Sequence, residues 1–333
     1  MRRTLPLASA ILSLTALSLA AQSVPTLLVV NQTDHNVTLL HPGSPQPPSA
    51  VDVQGITGHE VAVSPDGRRA FIPIYGNSGV GRPGTDGREM AVVDLASHTL
   101  SAKVDFGHGV RPHCAVVDQR RGLLYVTTEL DHTVSILDPR TLKIVGAIPT
   151  GQPESHMLVL SHDGRFGYTA NVGPGTISVL YLNTRKTAAI IPISGNTQRI
   201  SISNDDRLVF TSDQTQPRLA VVDTATRKLK SWVALPAIGY GSAPTHDGRW
   251  LLVALRPTHQ VAVVDLQTLT VARTIDVPPT PVEILIRPDG AMAYISCGQK
   301  VAALNLSTWK VDALLDAGQG ADGLAWAPPA STR

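Results

Sequence analysis

A chain of 333 residues, 43% hydrophobic and 16% charged, has ample apolar material for a packed core, which excludes a disordered chain. Aromatic residues make up only 4%, so the core must come from Val, Leu, Ile and Ala, a composition that favours strands. The formal charge of +2 falls to zero once Arg2 and Arg3 are set aside, so no basic surface argues for nucleic acid or an anionic membrane as a partner.

Those two arginines precede an apolar, Ser-containing run from Leu5 to Leu19 that ends in Ser18-Leu19-Ala20. This order of charged start, apolar run and small residues predicts a signal peptide over residues 1–20, removed on export. The run is too short and too Ser-rich to make a comfortable membrane span, and no Cys stands at the cleavage point to carry a lipid. The mature chain is therefore expected to be periplasmic or secreted, free of the membrane, and a monomer. Cys114 and Cys297 are the only cysteines, which excludes a disulfide-stapled scaffold and a Cys-rich metal site.

From Leu27 onward a repeat organises the chain. The segment Leu27 to Pro42 matches Leu123 to Pro139 with one deletion, so the N-terminal part begins at the second strand of a unit. A turn tetrad then recurs: Ser64-Pro65-Asp66-Gly67, the degenerate Asp118-Gln119-Arg120-Arg121, Ser161-His162-Asp163-Gly164, Ser203-Asn204-Asp205-Asp206, Thr245-His246-Asp247-Gly248 and Arg287-Pro288-Asp289-Gly290. Successive starts lie 54, 43, 42, 42 and 42 residues apart, so one unit is about 42 residues and the first carries an insertion. Asp-Gly is a hairpin signal, and three strand-like runs follow each tetrad, as in Leu123 to Thr128, Val134 to Asp138 and Ile144 to Ile148. Each unit reads as a four-stranded meander. Gly323 to Pro328 reads as a lone first strand. Joining it to the N-terminal strands predicts an all-β, seven-bladed β-propeller, a single domain over residues 24–330 with an insertion at 75–88 in its second blade.

The Pro-Asp-Gly turns, strands such as Tyr125-Val126-Thr127-Thr128 and Tyr168-Thr169-Ala170-Asn171, and third strands ending in Val222-Asp223 and Val264-Asp265 resemble the YVTN-type β-propeller repeats of exported bacterial proteins. Phe71 to Ile74 and Tyr294 to Cys297 depart from the motif and keep the register. The resemblance implies the propeller fold. Relatives of that family include lactonase-like and haem d1-binding propellers, which host different activities.

Asp94, Asp138, Asp223, Asp265 and Asn305 each end a third strand; one acid per unit is a turn-former, since a catalytic acid is needed once or twice. The insertion contains Gly79-x-Gly81-x-x-Gly84, but Pro83 and the strand-like run from Met90 leave no helix to meet a pyrophosphate, so a dinucleotide site is rejected. The informative column lies five residues before each tetrad: His59, His113, His156, Gln198, Tyr240, Val282 and, at the closing strand, Asp322. The next position adds Glu60, Arg199 and Glu283. Side chains at the starts of innermost strands converge at the mouth of the central channel.

Three readings of that mouth stay open. His59, His113 and His156 could ligate a divalent metal, with Gln198, a carboxylate or water completing the set. They could hold a small anion beside Arg199 and Tyr240, or simply bond across blades. The favoured function is an exported propeller that binds a small ligand at a histidine-rich channel mouth. The alternatives are a metal-dependent hydrolase or lyase acting on a lactone or uronate-like substrate, with Glu60 or Glu283 moving the proton, and a protein-interaction scaffold. Cys114 reads as a buried small hydrophobe, and a disulfide to Cys297 is not expected.

Overall fold

The computed structural model describes residues 24–329, so the expected signal peptide at 1–20 and the end of the expected domain at residue 330 lie outside the described residues. The chain is all-β: its regular elements are strands, apart from one short 3-10 turn at Arg256–Thr258. Tight antiparallel meanders pack side by side around a central channel, as the 42-residue period requires. Second and third strands are sandwiched between neighbouring sheets and read as continuous apolar runs, as in Trp250–Leu255 and Gln260–Asp265. Outermost strands such as Thr270–Asp276 are mostly exposed at the rim. Among the described residues no helix is long and apolar enough to cross a membrane.

The turn chemistry explains the repeat. In four tetrads the Ser or Thr hydroxyl donates to the Asp two residues on: Ser64 to Asp66 (2.5 Å), Ser161 to Asp163 (2.7 Å), Ser203 to Asp205 (2.6 Å) and Thr245 to Asp247 (2.5 Å). The fourth tetrad position takes a left-handed backbone, φ +71° at Gly67 and +73° at Gly290, which is what the glycine is for. The column of acids at the third-strand ends also bonds as expected. Asp94 accepts the N–H of Ser97 at 2.8 Å, Asp223 that of Thr226 at 2.7 Å, and Asn305 that of Ser307 at 3.0 Å.

Ring closure joins the two ends of the described chain, with Leu27 paired to Trp326 and Val29 to Leu324. The expected seven separate blades are corrected to six sheets, five of four strands and one of six. The reason is a continuous seam. Met292–Asn305 and Lys310–Ala327, at 14 and 18 residues, each have the length of two ordinary strands, and Gly298 pairs with Ala321 where a gap between blades was expected. The unit beginning at Pro281 and the unit assembled from the two ends therefore share one sheet.

Deleting residues from Gly320 onward removes the partner of Thr26–Asn31 and opens sheet edges. The truncated chain should aggregate or melt far below the full chain in a thermal unfolding scan; an unchanged melting temperature would show that this pairing does not hold the ring.

Candidate functional site

The innermost strands do not begin as regular strands. Each loses register where it reaches the mouth: between Pro112 and Ala115, Ser155 and Met157, Thr197 and Ile200, Gly239 and Ser242, and Pro281 and Ile284. Such bulges re-aim side chains, so two adjacent residues, Gln198 and Arg199 for example, both serve the channel end. Second-strand hydroxyls satisfy the backbone groups this frees. Thr127 Oγ1 accepts from Cys114 N and donates to His156 O, both at 2.9 Å; Thr211 Oγ1 donates to Arg199 O at 2.7 Å; Ser296 Oγ accepts from Glu283 N at 3.0 Å. Where the second position carries glycine the sheets approach closely: a Cβ on Gly323 would sit 2.4 Å from His59 O.

The three column histidines come together. Ring centroids of His59 and His113 lie 4.8 Å apart and those of His113 and His156 3.5 Å apart, with Tyr75 meeting all three edge-on at 5.3 to 5.8 Å. His113 is wholly buried, its Nδ1 has no hydrogen-bond partner, and burial beside His156 and His59 holds its pKa well below the usual imidazole range. His156 Nδ1 bonds to Glu129, which also accepts the Tyr75 hydroxyl at 2.7 Å. That carboxylate fixes the proton on Nδ1 and leaves Nε2 as an acceptor. His59 Nδ1 lies 2.7 Å from Gln32 Nε2, a donor, and 3.1 Å from Asp322 Oδ2, an acceptor, and its Nε2 is free of both. Among the described residues no group of three His, Cys, Asp or Glu side chains is arranged to hold a metal ion, because the imidazoles pack ring on ring.

Arg199 forms the floor. Its Nη1 lies 2.6 Å from Glu60 Oε1 and pairs with Glu283, and its Nη2 donates to Asp322 Oδ1 at 2.6 Å. The contact with Glu60 is a close ion pair without hydrogen-bond geometry, since Glu60 Oε1 makes no hydrogen bond. Tyr240 covers the guanidinium at 5.1 Å. One cation thus faces three carboxylates. Burial pushes Glu60 well above the ordinary carboxylate range despite Arg199, and pushes Glu283 up to about 6. Burial works against the Asp322 charge as well, but Arg199 and His59 outweigh it and hold Asp322 at about 2.

Above this floor lies a cavity of about 300 Å³ lined by His59, His156, Gln198, Tyr240, Val282 and Asp322 from the column. His113 sits behind it. The insertion supplies part of the roof, with Ser78, Gly79 and Val80 in the lining, and runs straight into the strand Asp86–Asp94 with no helix. Arg111 pins it, donating from Nε to Asp86 (2.7 Å), from Nη2 to Arg82 O (2.7 Å) and from Nη1 to Gly79 O (3.3 Å). Cys114 and Cys297 are free and buried, and burial pushes the Cys114 thiol upward.

Sequence reasoning missed Gln32, Tyr75, Glu129 and Arg256. They occupy one repeat column, four residues after the aromatic or Leu that marks each second strand, as Glu129 follows Tyr125 and Arg256 follows Leu252. That column ends on the same mouth, so reading it beside the histidine column would have found all four.

Glu283 gives the floor a pH signature. Its folded value of about 6 lies above the ordinary 4.5, so the stability its proton confers is complete below pH 4.5 and lost as pH rises through 6. Glu283→Gln should flatten the fall in stability between pH 4.5 and 7 by at most about 2 kcal/mol, read from denaturant unfolding at each pH. Equal slopes in the two proteins would contradict the burial of this carboxyl.

The Cytochrome D1 heme domain family matches residues 119–321, well over half of the chain. Antigen Lp49 of Leptospira interrogans is 25% identical over 227 residues, covering 62% of this chain and 49% of that protein. The uncharacterized protein YncE of Salmonella typhi is 23% identical over 197 residues, 57% of this chain and 55% of that one. The chain thus spans about half the length of these curated relatives. Among solved structures, the dihydro-heme d1 dehydrogenase NirN in complex with DHE superposes with a TM-score of 0.66 at 16% identity, over 90% of this chain and 74% of that one. A functionally unknown protein from Desulfotomaculum acetoxidans DSM 771 superposes at 0.74 with 11% identity, over 91% and 99%. These two likenesses speak for the fold. The extent of the family match, together with the YncE-type relatives, places this chain in the Cytochrome D1 heme domain family of β-propellers.

Proposed function

We propose that the chain is an exported propeller that binds a compact ligand carrying positive charge or N–H donors at the histidine-lined mouth of its channel. The observation that carries this is the pair of anchored imidazoles. His156 has Nδ1 engaged by the Glu129 carboxylate and so offers Nε2 as an acceptor, and His59, held at Nδ1 by Gln32 and Asp322, lines the same cavity. The charge supports the same ligand class, since three acids, Glu60, Glu283 and Asp322, already surround Arg199, whose buried Nε is left without a hydrogen-bond partner.

A haem fits these residues poorly. Its carboxylates would lie among three acids already ion-paired with the buried Arg199, and the cavity of about 300 Å³ is at the small end of the range for ligand sites, roughly 300–1,000 Å³. A catalytic reading draws support from Glu283, whose pKa of about 6 suits proton transfer near neutral pH.

A thermal-shift series with putrescine, agmatine and succinate tests the ligand class. The amines should raise the melting temperature of the wild type, succinate should not, and His59→Ala or His156→Ala should abolish the amine shift, with the double variant no worse than either single. Stabilisation by succinate alone, or amine shifts that survive both substitutions, would overturn the reading. Export has its own test: protein recovered outside the cytoplasm should lack residues 1–20 by intact mass, and a retained Met1 would contradict cleavage.

A further inference from the structure

The repeat supplies a control for every position, and three of its departures meet in one place. The residue that opens the second strand is Leu123, Phe166, Leu208, Trp250 or Met292 in five units and Thr26 in the unit assembled from the two ends, but Arg69 in the unit of the first tetrad. Two residues past the acid that ends the third strand stand Ala96, Ala225, Gln267 or Ser307, but Arg140 in the unit beginning at Pro112. The most degenerate tetrad puts Arg120 and Arg121 where the first has Asp66 and Gly67.

All four arginines line a single cavity of about 670 Å³ on the tetrad-turn face, opposite the histidine mouth. A repeat-equivalent cavity of about 640 Å³ on the same face shows the ordinary filling. There Trp250 stands in place of Arg69 and Ser307 in place of Arg140, and Trp250 packs edge-on against Trp309 at 5.8 Å. The arginine-lined cavity has exchanged that aromatic packing for charge.

Three of the four guanidiniums, those of Arg69, Arg120 and Arg140, have no close ion pair among the described residues. Arg69 is half-buried and donates from Nη1 to the carbonyls of Pro139 (3.3 Å) and Arg140 (3.2 Å), which sets its fork beside Arg140. Arg140 is exposed and, among the described residues, has no hydrogen-bond or ion-pair partner for its side chain. Arg120 reaches only the carbonyl of Asp163, at 3.3 Å. Arg121 is tied to Asp118 at 2.8 Å. The two acids in the lining serve the turns: Asp66 accepts from Ser64 Oγ, and Asp138 accepts the N–H of Arg140 at 2.8 Å. The cavity therefore carries a positive surplus, with planar forks that match the oxygens of phosphate and carboxylate groups.

We propose that this cavity is a second binding site, for a compact polyanion bearing phosphate or carboxylate groups, gripped by Arg69, Arg120 and Arg140. Calorimetric titration of the full chain at low ionic strength with pyrophosphate and, separately, with citrate tests it, and the tighter of the two identifies the oxyanion. The variants restore the repeat's own residues, Arg69→Leu and Arg140→Ser, so each places a side chain that the fold already accepts at that position. Each should weaken binding about tenfold or more, and the pair should remove it, while His59→Ala leaves it unchanged. Arg140→Ser alone, on an exposed turn, keeps the test decisive if Arg69→Leu fails to fold. No binding of either anion to the wild type, or wild-type affinity in Arg140→Ser and in the double variant, would overturn the proposal.

Discussion

The mouth of this propeller depends on one buried ion cluster. A guanidinium taken out of water must be paired, and Arg199 finds its partners on three separate stretches of chain, at Glu60, Glu283 and Asp322. Inner strands of such a ring otherwise touch through apolar side chains, which tolerate sliding; a charge with three fixed acceptors does not. Breaking the pairing from either side leaves an uncompensated buried charge, which costs several times more than an ordinary surface contact. The cluster is thus both a fastening of the ring and the reason its mouth is electrically biased.

Asp322 connects that fastening to the cavity. One of its oxygens accepts from Arg199 and the other meets His59 and Gln32, so a single carboxylate spans the floor and the ligand-facing layer. A contact that moved the His59 ring would therefore reach Arg199 through one side chain. His156 is organised separately, through Glu129 and Tyr75. The buried His113 lies between the two arrangements, and burial first, then the neighbouring His156 and His59, holds its pKa low.

Much of this was legible because the repeat turns sequence position into spatial position. A tetrad with a hydroxyl, an Asp and a Gly could be read as a turn from chemistry alone, and the histidine column followed by counting back five residues. Cys114 reads as a buried small hydrophobe, and it is buried. Two things were hidden. The number of sheets depends on whether Gly298 and Ala321 continue a ladder or end one, a matter of a few hydrogen bonds that residue identity does not decide. The bulges were hidden too: strict alternation put adjacent residues on opposite faces, whereas the register shifts let both members of a pair such as Gln198 and Arg199 serve the mouth. Gln32, Tyr75, Glu129 and Arg256 were missed because their column mixes chemistries and so lacks the repeated identity that drew attention to histidine.

The pairing of Thr26–Asn31 with the far end of Lys310–Ala327 sets the order in which the molecule can be made. Within the described residues the strand made first waits for the one made last, so while the strands between them are synthesised the chain presents an open sheet edge. Contacts between such distant segments form slowly, since almost the whole length must be searched before they can reward it. Unlike a bundle that gains stability helix by helix, this ring has one late, all-or-none closing event. Chaperones that shield unpaired edges would act on the growing chain and have little left to hold once residue 327 is in place.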